Sequence, residues 1–186
     1  AVQTGGQLYY GLTDDETWFH GDSSFTIETF FRLITASNST ADYYSLVEAG
    51  AFSAGLVADG SGDVALKFKK NDSFLGSSTD MGSFSEGSGW HHVAVVYDAD
   101  GNTANIFLDG TRKYNASGQS PTVTNASFFA FGADSIDGFS VQFDNARVSQ
   151  GVRYDGNFIP AMVYDADDQT IGLYRFNENR TDAAFA

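Results

Sequence analysis

With 186 residues, 42% hydrophobic and 15% aromatic, the chain can build a packed core and is too apolar for global disorder. Ten basic residues against 24 acidic ones leave a net charge of −14, which excludes a partner recognised by displacing counterions from phosphates, whether nucleic acid or anionic membrane. No run approaches the ~20 apolar residues of a membrane span, so no membrane insertion is expected, and without cysteine there is neither a disulfide nor a thiolate metal site.

Gly, Asp, Asn and Ser punctuate short apolar runs throughout, the pattern of many strands joined by tight turns. The first strong strand is predicted over 25–34. Phe25, Ile27, Phe31 and Leu33 share one face by period-two alternation; Thr26, Glu28 and Arg32 share the other, with Phe30 and Ile34 added. Runs 43–49 and 52–58, split by Ala49-Gly50-Ala51, read as a hairpin. Asp59-Gly-Ser-Gly-Asp63 is a turn into 64–70, where Val64, Leu66 and Phe68 alternate. Residues 71–89 read as a long surface connection with a short edge strand near Phe74-Leu75. Trp90 to Asp98 is a strand, Asp98-Ala-Asp-Gly-Asn102 a turn, 103–109 the returning strand, and Gly110 a tight turn into Thr111–Tyr114. Further runs fall at 127–132, 139–149 and 171–177, and a single helical turn is expected near Val152–Asp155. This totals roughly a dozen strands in one domain, residues 1–186, at the turn spacing of a sandwich. Ala1 in place of Met, with no signal-peptide pattern, suits a mature secreted form or a piece of a longer chain. The stop after Asp182-Ala-Ala-Phe-Ala favours the piece.

Four stretches, in order, resemble laminin-G-like domains. Phe25-Thr-Ile-Glu-Thr-Phe-Phe-Arg32 resembles the family's first long strand. Gly89-Trp-His-His-Val-Ala-Val-Val-Tyr-Asp98 followed by Ala104-Asn-Ile-Phe-Leu-Asp-Gly110 resembles its central hairpin. Gly138 to Ser149, with Gly151-Val-Arg-Tyr154 and Asn157-Phe-Ile-Pro160, resembles the late strand and the short turn after it. Thr170 to Glu178 resembles the last strand. The resemblance implies an all-β, two-sheet antiparallel jelly-roll sandwich of the concanavalin A-like kind. Lectins, carbohydrate-binding modules, hydrolases, lyases and adhesion domains share that fold, so function has to come from the site.

A laminarinase-type hydrolase of this fold carries a Glu-x-Asp-x-x-Glu-like run that supplies paired carboxylates. Here Glu stands only at 16, 28, 48, 86 and 178, none in such a run, and the Gln-x-His of alginate-lyase-like relatives is missing. Asp98 and Asp100 have suitable spacing but sit in a turn. His91 and His92 are neighbours on a strand and so point to opposite faces; His20 stands apart from any Ser or Cys motif. The expectation is therefore a non-catalytic module that binds a glycan or cell-surface receptor. It would belong to an extracellular or virion protein, such as a tail-fibre-like adhesin. The alternatives are a spacer or oligomerisation domain without ligand, and a hydrolase or lyase with an unrecognised site. The resemblance also implies a structural calcium ion, with the Gly21 carbonyl, Asp22 and Asp144 as ligands. Asp165-Ala-Asp-Asp168 is a weaker acidic cluster that lacks the Gly and terminal Glu of an EF-hand loop. Trp18, Tyr43, Tyr44, Tyr114 and Tyr154 are candidate sugar platforms. Five Asn-x-Ser/Thr sequons start at Asn38, Asn71, Asn115, Asn125 and Asn179, and matter only in a eukaryotic secretory route.

Overall fold

The computed structural model describes residues 2–3, 8–11, 23–40, 42–75, 81–119, 128–132, 138–176 and 183–185. Among them are fifteen strands and no helix. In chain order the strands are β1 Val2–Gln3, β2 Leu8–Gly11, β3 Phe25–Thr35, β4 Tyr43–Ala49, β5 Phe52–Ala58, β6 Asp63–Lys70, β7 Ser73–Phe74 and β8 Ser83–Ser85. They continue with β9 His91–Asp98, β10 Thr103–Leu108, β11 Thr111–Ser117, β12 Phe128–Phe131, β13 Ser140–Gln150, β14 Thr170–Tyr174 and β15 Ala183–Phe185. All pairings are antiparallel. One sheet runs β11-β10-β9-β3-β13-β14-β15, with β1 also on β13; the other runs β2-β12-β4-β5-β6-β7, with β8 also on β6.

The two inner faces form the core. Phe25, Ile27, Phe31 and Leu33 of β3 are fully buried, as their alternation predicts, and meet Leu46, Phe52, Leu56, Leu66, Phe68 and Phe129 of the facing sheet. A fully buried side chain of this size stabilises by about 1.5–3 kcal/mol, so this layer carries the fold. The alternation in β13 changes phase partway: Val141 and Phe143 point inward, then Ala146 and Val148 do. Asn145 is the cause. It sits at φ 45° as the extra residue of a bulge between Asp144 and Ala146, and its N–H donates to Asp144 Oδ1 at 2.9 Å.

The outer face of the larger sheet is buried too. Thr26, Glu28, Phe30, His92, Ala94, Val96, Phe107 and Ser149 all lie under the segment that follows β13. That segment, residues 151–165, is an extended strap and not the helical turn expected near Val152–Asp155. Its polar groups bond to the sheet instead of along a helix. The Arg153 N–H donates to Thr26 Oγ1 at 3.1 Å, the Thr26 hydroxyl to the Gly151 carbonyl at 2.9 Å, and the Phe158 N–H to the Gly110 carbonyl at 2.9 Å. Asn145 Nδ2 donates to the Met162 carbonyl at 2.9 Å.

Candidate functional site

On the outer face of the smaller sheet the side chains of Tyr43, Ser53, Lys67 and Lys69 are half-buried. A cleft of about 320 Å³ lies there, lined by Tyr43, Glu48, Gly50, Ala51, Phe52, Ser53, Lys69, Asn71 and Asp72. Three consecutive strands build it. The β4–β5 and β5–β6 registers pair Glu48 with Ser53 and Ser53 with Lys69, so the three side chains stand in a row. Asn71 and Asp72, at φ 48° and 60°, are the two turn residues of the β6–β7 hairpin and form one rim. Positive φ at both central positions is the turn that matches the twist of a two-residue hairpin, and Asn and Asp tolerate it.

Tyr43 lies across the sheet and not away from it. Gly55 leaves the space: a Cβ there would collide with the Tyr44 carbonyl oxygen and come within 2.6 Å of the Tyr43 ring. The Tyr43 hydroxyl is 2.6 Å from Ser53 Oγ, which is 3.0 Å from the buried Ser45 Oγ, so a chain of hydroxyls runs from the cleft into the sheet. Burial pushes the Tyr43 phenol above its ordinary range, so it stays a neutral donor and acceptor. Lys69 Nζ sits over the Tyr43 ring at 3.8 Å and over Phe74 at 4.8 Å. Phe74 is 52% exposed beside it. The cleft thus offers hydroxyls, an amide, two carboxylates, an ammonium and an aromatic edge, the groups that bind a polyol.

A second polar cluster is sealed. The carboxylate of Glu28 is fully buried between the larger sheet and the strap. Arg147 donates to its Oε1 from Nε at 2.9 Å and Nη2 at 2.7 Å. His92 Nε2 and the Tyr154 hydroxyl reach Oε2 at 3.0 and 2.9 Å. Burial alone would raise the Glu28 carboxyl; the His92 hydrogen bond and the Arg147 charge outweigh it and hold the pKa below the usual range. Tyr154 is pushed up, by burial first and then by the Glu28 charge. Tyr164 closes the cluster, with the Arg147 guanidinium 4.3 Å from its ring centroid. A Glu, a His and a Tyr in contact look catalytic, but the strap leaves no room for a substrate, and they serve as its anchor.

The other predicted residues fall as follows. Gly21, Asp22, Trp18 and His20 lie outside the described residues, as do Asn125 and Asn179. Asp144 caps the β13 bulge through one carboxylate oxygen. Among the described residues no three His, Asp, Glu or Cys side chains gather as a metal cluster. Tyr44 is core, Tyr114 packs on Phe68, and Tyr154 belongs to the strap; of the proposed platforms Tyr43 lines the cleft. His91 and His92 point to opposite faces as expected, one to Asp109 and Phe84, the other to Glu28. In the Asp165–Asp168 cluster Asp167 takes two bonds from Arg153 at 2.9 and 2.6 Å, and the exposed Asp165 is 3.7 Å from Arg175. Asp98 accepts from the Asp100 N–H at 3.1 Å, a turn as predicted. Missed altogether were Ser53, Lys69 and the pairing of Glu48 with Asp72 across one cleft. Lys69 alternates with Phe68 on β6, which marks it as facing outward, but nothing in the sequence says that Tyr43 lies beneath it.

Two antiparallel sheets packed face to face over one core make a β-sandwich. The chain belongs to the laminin-G family of the concanavalin A-like lectin/glucanases superfamily, whose model matches residues 4–155. No curated protein matches it. Among solved structures it is similar to the binding domain of botulinum neurotoxin serotype D, at 11% identity and TM-score 0.54 over 81% of this chain and 38% of that one. It is similar to botulinum neurotoxin type C, which enters cells in dependence on two ganglioside molecules, at 15% identity and TM-score 0.54 over 80% and 37%. The binding domain of neurotoxin DC, solved with rat synaptotagmin II, matches at 14% identity and TM-score 0.51 over 82% and 37%. The matches span under two-fifths of those chains, and at such identity they show the fold alone. Among the described residues no helix is long and apolar enough to cross a membrane.

Proposed function

We propose that this domain is a non-catalytic recognition module of an extracellular or virion protein, and that it binds a glycan or glycan-bearing receptor in the Tyr43–Ser53–Lys69 cleft. The observation that carries this reading is the cleft itself: a polar groove edged by the Tyr43 ring, on a sandwich whose opposite face carries the strap. Sugar binding needs donors and acceptors in fixed positions beside an apolar edge. The Tyr43 and Ser53 hydroxyls and Asn71 supply the polar groups, and the Tyr43 ring with Phe74 beside Lys69 supplies the apolar edge. The ganglioside dependence of neurotoxin type C is a fold-level parallel in support. Titration of the chain with an oligosaccharide panel tests it. Binding that disappears in Ser53→Ala with Phe74→Ala, at unchanged melting temperature, is expected.

Calcium belongs to the same proposal, with Asp144, Asp22 and the Gly21 carbonyl as ligands. The donors are all oxygen, which suits a hard cation, and with one Asp144 oxygen given to the bulge the rest of its six to eight positions need carbonyls and water. Because Asp144→Ala would also remove the bulge cap, chelation is the discriminating test. Chelator should lower the melting temperature of the wild-type chain, and no shift would remove calcium from the account.

Glu48 and Asp72 in one cleft favour a second reading, a glycoside hydrolase. Release of reducing ends from a polysaccharide, abolished by Glu48→Gln, would move the chain to that class.

A further inference from the structure

We infer that the cleft takes a sugar bearing a single carboxylate, a sialic or uronic acid, through the Lys69 ammonium. The inference rests on the recognition reading of the same cleft and names its ligand class. Three of the chain's ten cationic residues, Lys67, Lys69 and Lys70, fall within four positions of β6, in a chain of net charge −14. The register sets Lys67 and Lys69 opposite Gly55 and Ser53, on the outer face, while Lys70 reaches Gln119 at 3.2 Å.

Lys69 differs from an ordinary surface lysine. Two rings hold its ammonium, Tyr43 at 3.8 Å and Phe74 at 4.8 Å, and those rings meet edge to face at 5.9 Å. Among the described residues it has no carboxylate partner, although Glu48 and Asp72 line the same cleft. A freely rotating lysine loses side-chain entropy when it grips a ligand; here the rings have already fixed the stem. The π contacts leave N–H donors of the ammonium for a ligand. A neutral sugar seated in the cleft would cover this cation without pairing it, which costs free energy. A carboxylate pairs it by a charge-assisted bond.

The two carboxylates limit the charge that can enter. Asp72, Ser53 and Tyr43 accept hydrogen bonds from ligand hydroxyls, while the charges of Glu48 and Asp72 repel a second anionic group. A polyanion such as heparin also meets the net charge of the whole chain.

The test uses the full chain with 3′-sialyllactose, a glucuronate-terminated disaccharide, lactose and a heparin oligosaccharide, measured by calorimetry or NMR titration. At least one acidic disaccharide or trisaccharide should bind at least about tenfold more tightly than lactose, a difference of about 1.4 kcal/mol. Added salt should weaken that preference. Lys69→Gln, or Lys69→Met if the first fails to fold, should remove the preference, and Asp72→Asn should strengthen it. Equal or tighter binding of lactose, a preference that survives Lys69→Gln, or tightest binding of heparin overturns the inference and leaves the recognition reading standing. Binding of no sugar at all overturns that reading, and the ligand class with it.

Discussion

At the scale of single residues, Glu28 shows how far context outweighs residue type. In sequence it is a polar residue on the polar face of a strand. In the fold it is a fully buried anion with four donors on it, from Arg147, His92 and Tyr154. Removing its charge leaves Arg147 buried and unpaired, so Glu28→Gln should cost about 3–5 kcal/mol in denaturant unfolding. Replacing the pair together, Glu28→Leu with Arg147→Met, should cost less than the single change, because no lone charge remains. The same pair sets an acid limit. The folded pKa of Glu28 is depressed, so its contribution is complete above the ordinary carboxylate pKa and is lost as pH falls through the folded value. Unfolding followed between pH 6 and 2 should show that loss in the wild type, and a shallower one in the Leu/Met double variant. An equal pH dependence in both would remove Glu28 from the account.

At the scale of elements, the strap depends on one glycine. Gly110 lies at φ 73° in the β10–β11 turn, and a Cβ there would strike the Phe158 carbonyl. Asp109 before it sits at φ 49° and accepts from the His92 N–H at 2.8 Å and from His91 Nδ1 at 2.9 Å. The Trp-His-His strand and the Asp-Gly turn are therefore one bonded unit, and the strap docks on it. Gly110→Ala should destabilise by about 1–3 kcal/mol. It should speed hydrogen exchange at 152–164 while leaving the β5–β6 pairing protected; uniform exchange across the chain would contradict this. The hairpins were legible because their evidence is local: alternation, then Gly, Asn or Asp at the turn. The strap was not. It has no period of its own, and its bonds reach residues more than a hundred positions earlier, Thr26 and Glu28. The bulges were equally hidden, since an extra residue such as Asn145 shows only once the strand is paired.

At the scale of the whole molecule, the two sheets have different tasks. The larger is covered on both faces along β9, β3 and β13, where the strap lies over it. The smaller carries the cleft, which forms where β4, β5 and β6 run side by side. Charge turned the expectation away from nucleic acid, alternation and turn residues made it all-β, and the laminin-G-like resemblance with the missing carboxylate run made it a recognition module. The cleft was out of reach of that reading. Tyr43, Ser53 and Lys69 are spread over 27 positions of sequence and meet only through two hairpin registers. Tyr43 lies flat only because residue 55 is glycine.

The most direct test of the central claim is a glycan array probed with the full chain in calcium, beside the Ser53→Ala, Phe74→Ala double variant. The account predicts reproducible glycan binding by the wild type that the folded double variant loses. An array without a hit, or hits that the double variant retains, would contradict it.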